Sequence, residues 1–115
     1  MLEFGSAEGP AVNFQPGDIV EFVESDVLWK FSQEEKQVWG PNIPADQQFA
    51  PGTVEEGTLC TVLKIATYPT LDGSELEVEM LLLRPDGVLG WYWQGLQSRP
   101  PREIRLFHRA EVSNV

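Results

Sequence analysis

Cysteine and histidine occur once each in the 115 residues, as Cys60 and His108. A single thiol excludes an internal disulfide framework, and one Cys with one His excludes the ligand spacing of a structural zinc site. Long hydrophobic runs are missing too. No stretch approaches the roughly 20 apolar residues that cross a bilayer as a helix. Met1-Leu2-Glu3-Phe4-Gly5-Ser6 has neither the basic nor the apolar region of a secretion signal. Positive charge is scarce: 8 Lys and Arg face 18 Asp and Glu, for a net charge of −10. That balance argues against direct nucleic-acid binding, which relies on clustered cations. No glycine-rich phosphate loop, nucleophile elbow or dinucleotide fingerprint is present. These absences point away from a membrane protein, a metal site and an enzyme, and no cofactor is expected.

What is present suits a soluble, cytoplasmic, acidic domain. Hydrophobic residues make up 42% of the chain, enough for a core despite the acidity. The length fits one domain. Charge is unevenly spread. Residues 1–83 hold fifteen acids and three lysines, whereas residues 84–115 hold five arginines and three acids. Such asymmetry steers a basic partner to the acidic part or favours head-to-tail self-association; otherwise it simply keeps the domain soluble.

Residues 1–14, rich in small residues, read as a flexible N-terminal arm, with one domain over 15–115. Pro16-Gly17-Asp18 is a turn signal, and the β-branched and aromatic run Ile19–Glu24 reads as a strand. In the long 25–57 connection, Ser32-Gln33-Glu34-Glu35 has capping-box spacing and predicts a short helix near 33–38. Gly40-Pro41, Ile43-Pro44 and Ala50-Pro51-Gly52 break any further regular element. Trp29, Phe31, Trp39 and Phe49 make this a packed loop rather than a linker. Gly57–Ile65 reads as a second strand. After the Asp72-Gly73 turn, Leu76, Val78, Met80 and Leu82 alternate with Glu75, Glu77 and Glu79, which predicts a buried aliphatic stripe and a solvated carboxylate row. Arg84-Pro85-Asp86-Gly87 turns the chain into Val88–Trp93, and a last strand follows over Glu103–His108, with Arg109–Val112 as a turn to a closing strand.

The succession Pro16-Gly17-Asp18-Ile19-Val20, then Gly57–Val62, then the Pro85-Asp86-Gly87 hairpin, then Phe107–Val112, resembles an SH3-like small β-barrel. The resemblance implies an all-β barrel of about five strands, with a long loop carrying a short helix. By analogy it also implies a module that binds peptides, proteins or nucleic acids.

Trp91 and Trp93 share one strand face and Tyr92 the other, so either the indoles or the phenol belong to the core. Joined by Trp29, Phe31 or Trp39, the exposed set would form a groove for a proline-rich peptide or a cage for a methylated ammonium. The expected partner-binding residues are therefore Trp29, Phe31, Trp39 and Tyr92, with Glu75, Glu77 and Glu79 orienting a basic protein partner. Arg99, Arg102, Arg105 and Arg109 form the basic patch expected to serve self-association into a homo-oligomer. Cys60, between Leu59 and Thr61-Val62, reads as a buried, inert thiol rather than a nucleophile paired with His108. The leading expectation is a non-enzymatic protein-interaction module. An acidic inhibitor that imitates nucleic acid, and a barrel that binds a small molecule between its tryptophans, are the alternatives.

Overall fold

The computed structural model describes residues 13–39 and 42–111. Residues 1–12 of the expected arm, Gly40-Pro41 and the expected closing strand beyond Glu111 lie outside the described residues. In the Pro16-Gly17-Asp18 turn, the Asp18 N–H donates to the Gln15 carbonyl at 3.1 Å. Gly17 holds φ +92°, and a Cβ there would approach Ala110 Cβ to 3.0 Å. Only glycine takes both the left-handed backbone and the close approach without strain.

Beyond this turn run strands β1 (Ile19–Phe22), β2 (Leu59–Pro69), β3 (Leu76–Leu83), β4 (Leu89–Leu96) and β5 (Ile104–His108). They form one antiparallel sheet in the order β4-β3-β2-β1-β5. The all-β expectation of about five strands is met, but barrel closure is not: β4 and β5 stand at opposite ends of an open sheet. Both predicted turns form, with Gly73 N–H donating to Thr70 O and Gly87 N–H to Arg84 O, each at 2.9 Å.

Three register slips interrupt the sheet, one of them between β1 and β5 at Ile19–Val20, where Phe107 is the extra residue. Leu63 is the extra residue where the β2–β3 register slips, and Gln94 is the extra residue opposite the Val78–Glu79 step. The predicted stripe holds for Val78, Met80 and Leu82, which are buried, while Leu76 at the strand start stays exposed. These residues join Val20, Phe22, Cys60, Val62, Tyr92 and Ile104 in one core. Phe14 joins it too, so the expected boundary between arm and domain falls inside the core. Burying each large apolar side chain contributes about 1.5–3 kcal/mol.

The 25–57 connection closes the core and does not hang free. Leu28, Ala50 and Val54 are buried in the same cluster. Trp29 and Trp91 exchange both backbone hydrogen bonds, at 2.8 and 2.7 Å, so this segment covers part of the β4 edge. Gly90 makes room for it, since a Cβ there would lie 2.4 Å from Leu28 Cβ. The predicted helix forms as α1 (Gln33–Trp39). Its capping box is reciprocal: Glu35 N–H donates to Ser32 Oγ at 3.1 Å, and Ser32 N–H donates to Glu35 Oε1 at 2.9 Å. A single 3₁₀ turn, Ala45–Gln47, follows.

Candidate functional site

Alternation along β4 puts Tyr92 in the core and turns Trp91 and Trp93 to the opposite face. Either-or burial does not follow, because that second face is itself partly covered. Trp91 is buried although it lies outside the core cluster, and Trp93 is half-buried. The reason is Trp29, which the backbone bridge to Trp91 delivers beside them. Its ring stacks on Trp93 with centroids 4.1 Å apart and planes within 12°, and Phe49 lies against it at 4.5 Å. The Lys36 ammonium sits 4.2 Å from the Trp29 centroid and 5.1 Å from that of Trp93, within cation–π range of both. The buried Trp93 indole N–H finds no acceptor among the described residues, a local cost in stability.

Beside this stack opens a cavity of about 250 Å³ lined by Trp29, Phe49, Tyr92, Trp93, Asp26 and Glu103. The walls are aromatic and the polar groups are two carboxylates and a phenol. The Tyr92 hydroxyl donates to Glu103 Oε1 at 2.7 Å, and Val27 N–H donates to Asp26 Oδ1 at 2.8 Å. Burial holds the Asp26 carboxyl above its ordinary range, with the charges of Glu103 and Glu24 adding to the rise and the Val27 N–H opposing it. The Tyr92 phenol is pushed well above its usual value, first by burial and then by its bond to Glu103. Sequence reasoning missed Asp26 and Glu103 as a pair. Asp26 lies in the 25–57 connection and Glu103 just before β5, far apart along the chain, so no local spacing announces their meeting.

The carboxylate row is corrected in part. Glu75 is exposed and accepts a hydrogen bond from Ser98 Oγ at 2.9 Å, and Glu77 is half-buried. Glu79 is fully buried, contrary to the expected solvated position. It accepts the Gln33 N–H at the start of α1, at 2.9 and 3.3 Å from its two oxygens, and the Tyr68 hydroxyl. Alternation correctly placed Glu79 on the face away from the core, but α1 docks over that face. Burial pushes its pKa above the ordinary glutamate value, partly offset by the Tyr68 and Gln33 donors.

Tyr92 is core at 3% exposure, with its hydroxyl bonded to Glu103 at the cavity. Trp29 and Phe31 are half-buried. Trp39 ends α1, and its side chain lies outside the described residues. Cys60 and His108 stay apart. The thiol is buried in the core and pushed up to about 11 by burial, whereas His108 is exposed on β5, across β1. Among the described residues no group of three His, Cys, Asp or Glu is placed to hold a metal ion.

The basic patch divides. Arg109 donates to the fully buried Asp18 at 2.9 Å and to Asn13 O, and Arg105 donates to Glu21 at 2.8 Å. These two have intramolecular partners, which the self-association expectation did not foresee. Arg99 and Arg102 are exposed and join no ion pair among the described residues. Neither a family model, nor a curated protein, nor a solved structure matches the chain.

Proposed function

We propose that the chain is a non-enzymatic interaction module that binds a basic protein or peptide partner through the face built by the 25–57 segment and β4. We also read the strand order β4-β3-β2-β1-β5, with its long first connection, as an opened SH3-like barrel. One observation carries the functional reading. Trp29, Phe49 and Trp93 pack together as walls of a carboxylate-bearing cavity instead of filling the core. Core packing rewards such rings with full burial, yet Phe49 stays 39% exposed. Aromatic residues held half-open are the ones that anchor protein interfaces. The acidic charge of the chain supplies orientation and encounter rate for a basic partner.

The test is a selection from a displayed random-peptide library on the folded protein at low salt. Enrichment of basic sequences, with binding lost on Phe49→Ala and weakened by salt, supports the reading. Failure to enrich any sequence, or enrichment indifferent to Phe49, overturns it. Phe49 suits this purpose because its exposure limits the damage to folding.

A further inference from the structure

The cavity beside Trp29 holds two acids without a cation of their own. None of the ion pairs among the described residues includes Asp26 or Glu103. Each uses one carboxylate oxygen internally, Asp26 Oδ1 with Val27 N–H and Glu103 Oε1 with the Tyr92 hydroxyl. Asp26 Oδ2 and Glu103 Oε2 receive no donor among the described residues. Two carboxylates brought together and partly desolvated repel each other, and the Asp26 carboxyl is held above its ordinary pKa by burial first, with the Glu103 charge adding to the rise. Elsewhere the fold treats an acid of this kind differently: Asp18, fully buried, is given Arg109 and two backbone donors.

From these contacts we infer that the cavity receives an arginine side chain of the partner, its guanidinium lying between Asp26 and Glu103 against the aromatic walls. The inference rests on the interaction-module reading and names the group that the module recognises. Three features favour guanidinium over other cations. The two open carboxylate oxygens are free to accept hydrogen bonds, and guanidinium presents five donors in a planar fork. A trimethylated ammonium presents none, so it would leave both oxygens unpaired in a partly dry site. The walls are flat aromatic rings, against which a planar, weakly hydrated cation packs better than a compact ammonium. The volume of about 250 Å³ is several times the roughly 30 Å³ of one water, room enough for a side-chain head. Lys36 is an independent sign that these indoles attract cations, since its ammonium already lies over Trp29 and Trp93 while making no ion pair with either acid.

The experiment uses the full chain and four otherwise identical alanine-flanked pentapeptides with a central arginine, lysine, trimethyl-lysine or neutral citrulline. Binding is read by nuclear magnetic resonance at the Val27 amide and at the Trp29 and Trp93 indole N–H signals. The arginine peptide is expected to bind at least about fivefold more tightly than the lysine or trimethyl-lysine peptide, with citrulline inert. Asp26→Asn and Glu103→Gln, which preserve shape and one acceptor, are each expected to weaken it about tenfold. Asp46→Asn, an exposed acid elsewhere in the segment, removes the same charge and should have little effect. Trimethyl-lysine binding as tightly as arginine overturns the inference, as does arginine binding unchanged in both cavity variants, or no shift up to about 10 mM. If library-selected basic peptides bind undiminished by Asp26→Asn and Glu103→Gln, the arginine site is wrong and the module stands. If no basic peptide binds at all, both fail.

Discussion

Asp18 and the Asp26–Glu103 pair are both desolvated acids, yet the chain handles them in opposite ways. Asp18 sits at the entrance to β1, fully buried, and accepts from Gln15 N–H at 2.9 Å, Ala110 N–H at 2.7 Å and the Arg109 guanidinium at 2.9 Å. It binds the two ends of the described chain together. Asp26 and Glu103 face a cavity with open oxygens and no ion-pair partner among the described residues. A buried charge with its partner built in belongs to the architecture. A half-buried pair without one costs stability, and natural proteins retain such costs where binding needs them.

Substitutions sharpen this contrast. Replacing Asp18 by Ala strands two backbone donors and the guanidinium, so urea unfolding should show a loss of about 2–4 kcal/mol at unchanged slope. A loss within about 0.5 kcal/mol would erase the distinction between the two sites. Next in size is Gly90→Ala, which forces a Cβ to within 2.4 Å of Leu28 Cβ and should destabilise by about 1–3 kcal/mol as the 25–57 segment lifts from β4. Leu28→Gly, which removes that Cβ, is itself costly, but the double variant should fall clearly short of the sum if these two residues press on each other.

Glu79 provides an intermediate case: buried and hydrogen-bonded, but with no ion-pair partner among the described residues. Its folded pKa lies above the ordinary value of 4.5, so the folded state binds its proton more readily than the unfolded state. The stability it contributes is therefore complete below about 4.5 and declines as pH rises through the elevated value. Denaturation across that window should show a shallower decline in Glu79→Gln than in the parent chain; identical slopes would mean Glu79 is not the titrating group. Asp26→Asn is the smallest effect and the most telling in sign. It keeps the acceptor for Val27 N–H and relieves repulsion, so at neutral pH it should stabilise slightly, by up to about 0.5 kcal/mol after allowing for solvent screening. A clear destabilisation would make Asp26 structural, like Asp18.

Much of the local structure was legible. The Ser32–Glu35 box gave a helix because its two hydrogen bonds are made within four residues. The turns at Asp72-Gly73 and Asp86-Gly87 formed for the same local reason. Alternation placed Val78, Met80 and Leu82 in the core. It fell short for Glu79, Trp91 and Trp93 in an instructive way. Period-two patterning tells which side of the sheet a residue takes, but not whether something else covers that side. Nor did it show the bulges at Leu63 and Gln94, since one extra residue in a strand leaves no compositional mark. The candidate site was half visible: Trp29 and the strand aromatics stood out by type, while Asp26 and Glu103 looked like any other acids.

By itself, the order of residues determined the strands, the short helix, the turns and a strongly negative chain, because those follow from backbone preferences and charge over a few neighbouring positions. Tertiary structure alone decided which acids are clamped and which stay open, and which indoles meet. Those outcomes depend on segments distant along the chain arriving at one point, as Leu28 does on Gly90 and Trp29 on Trp93.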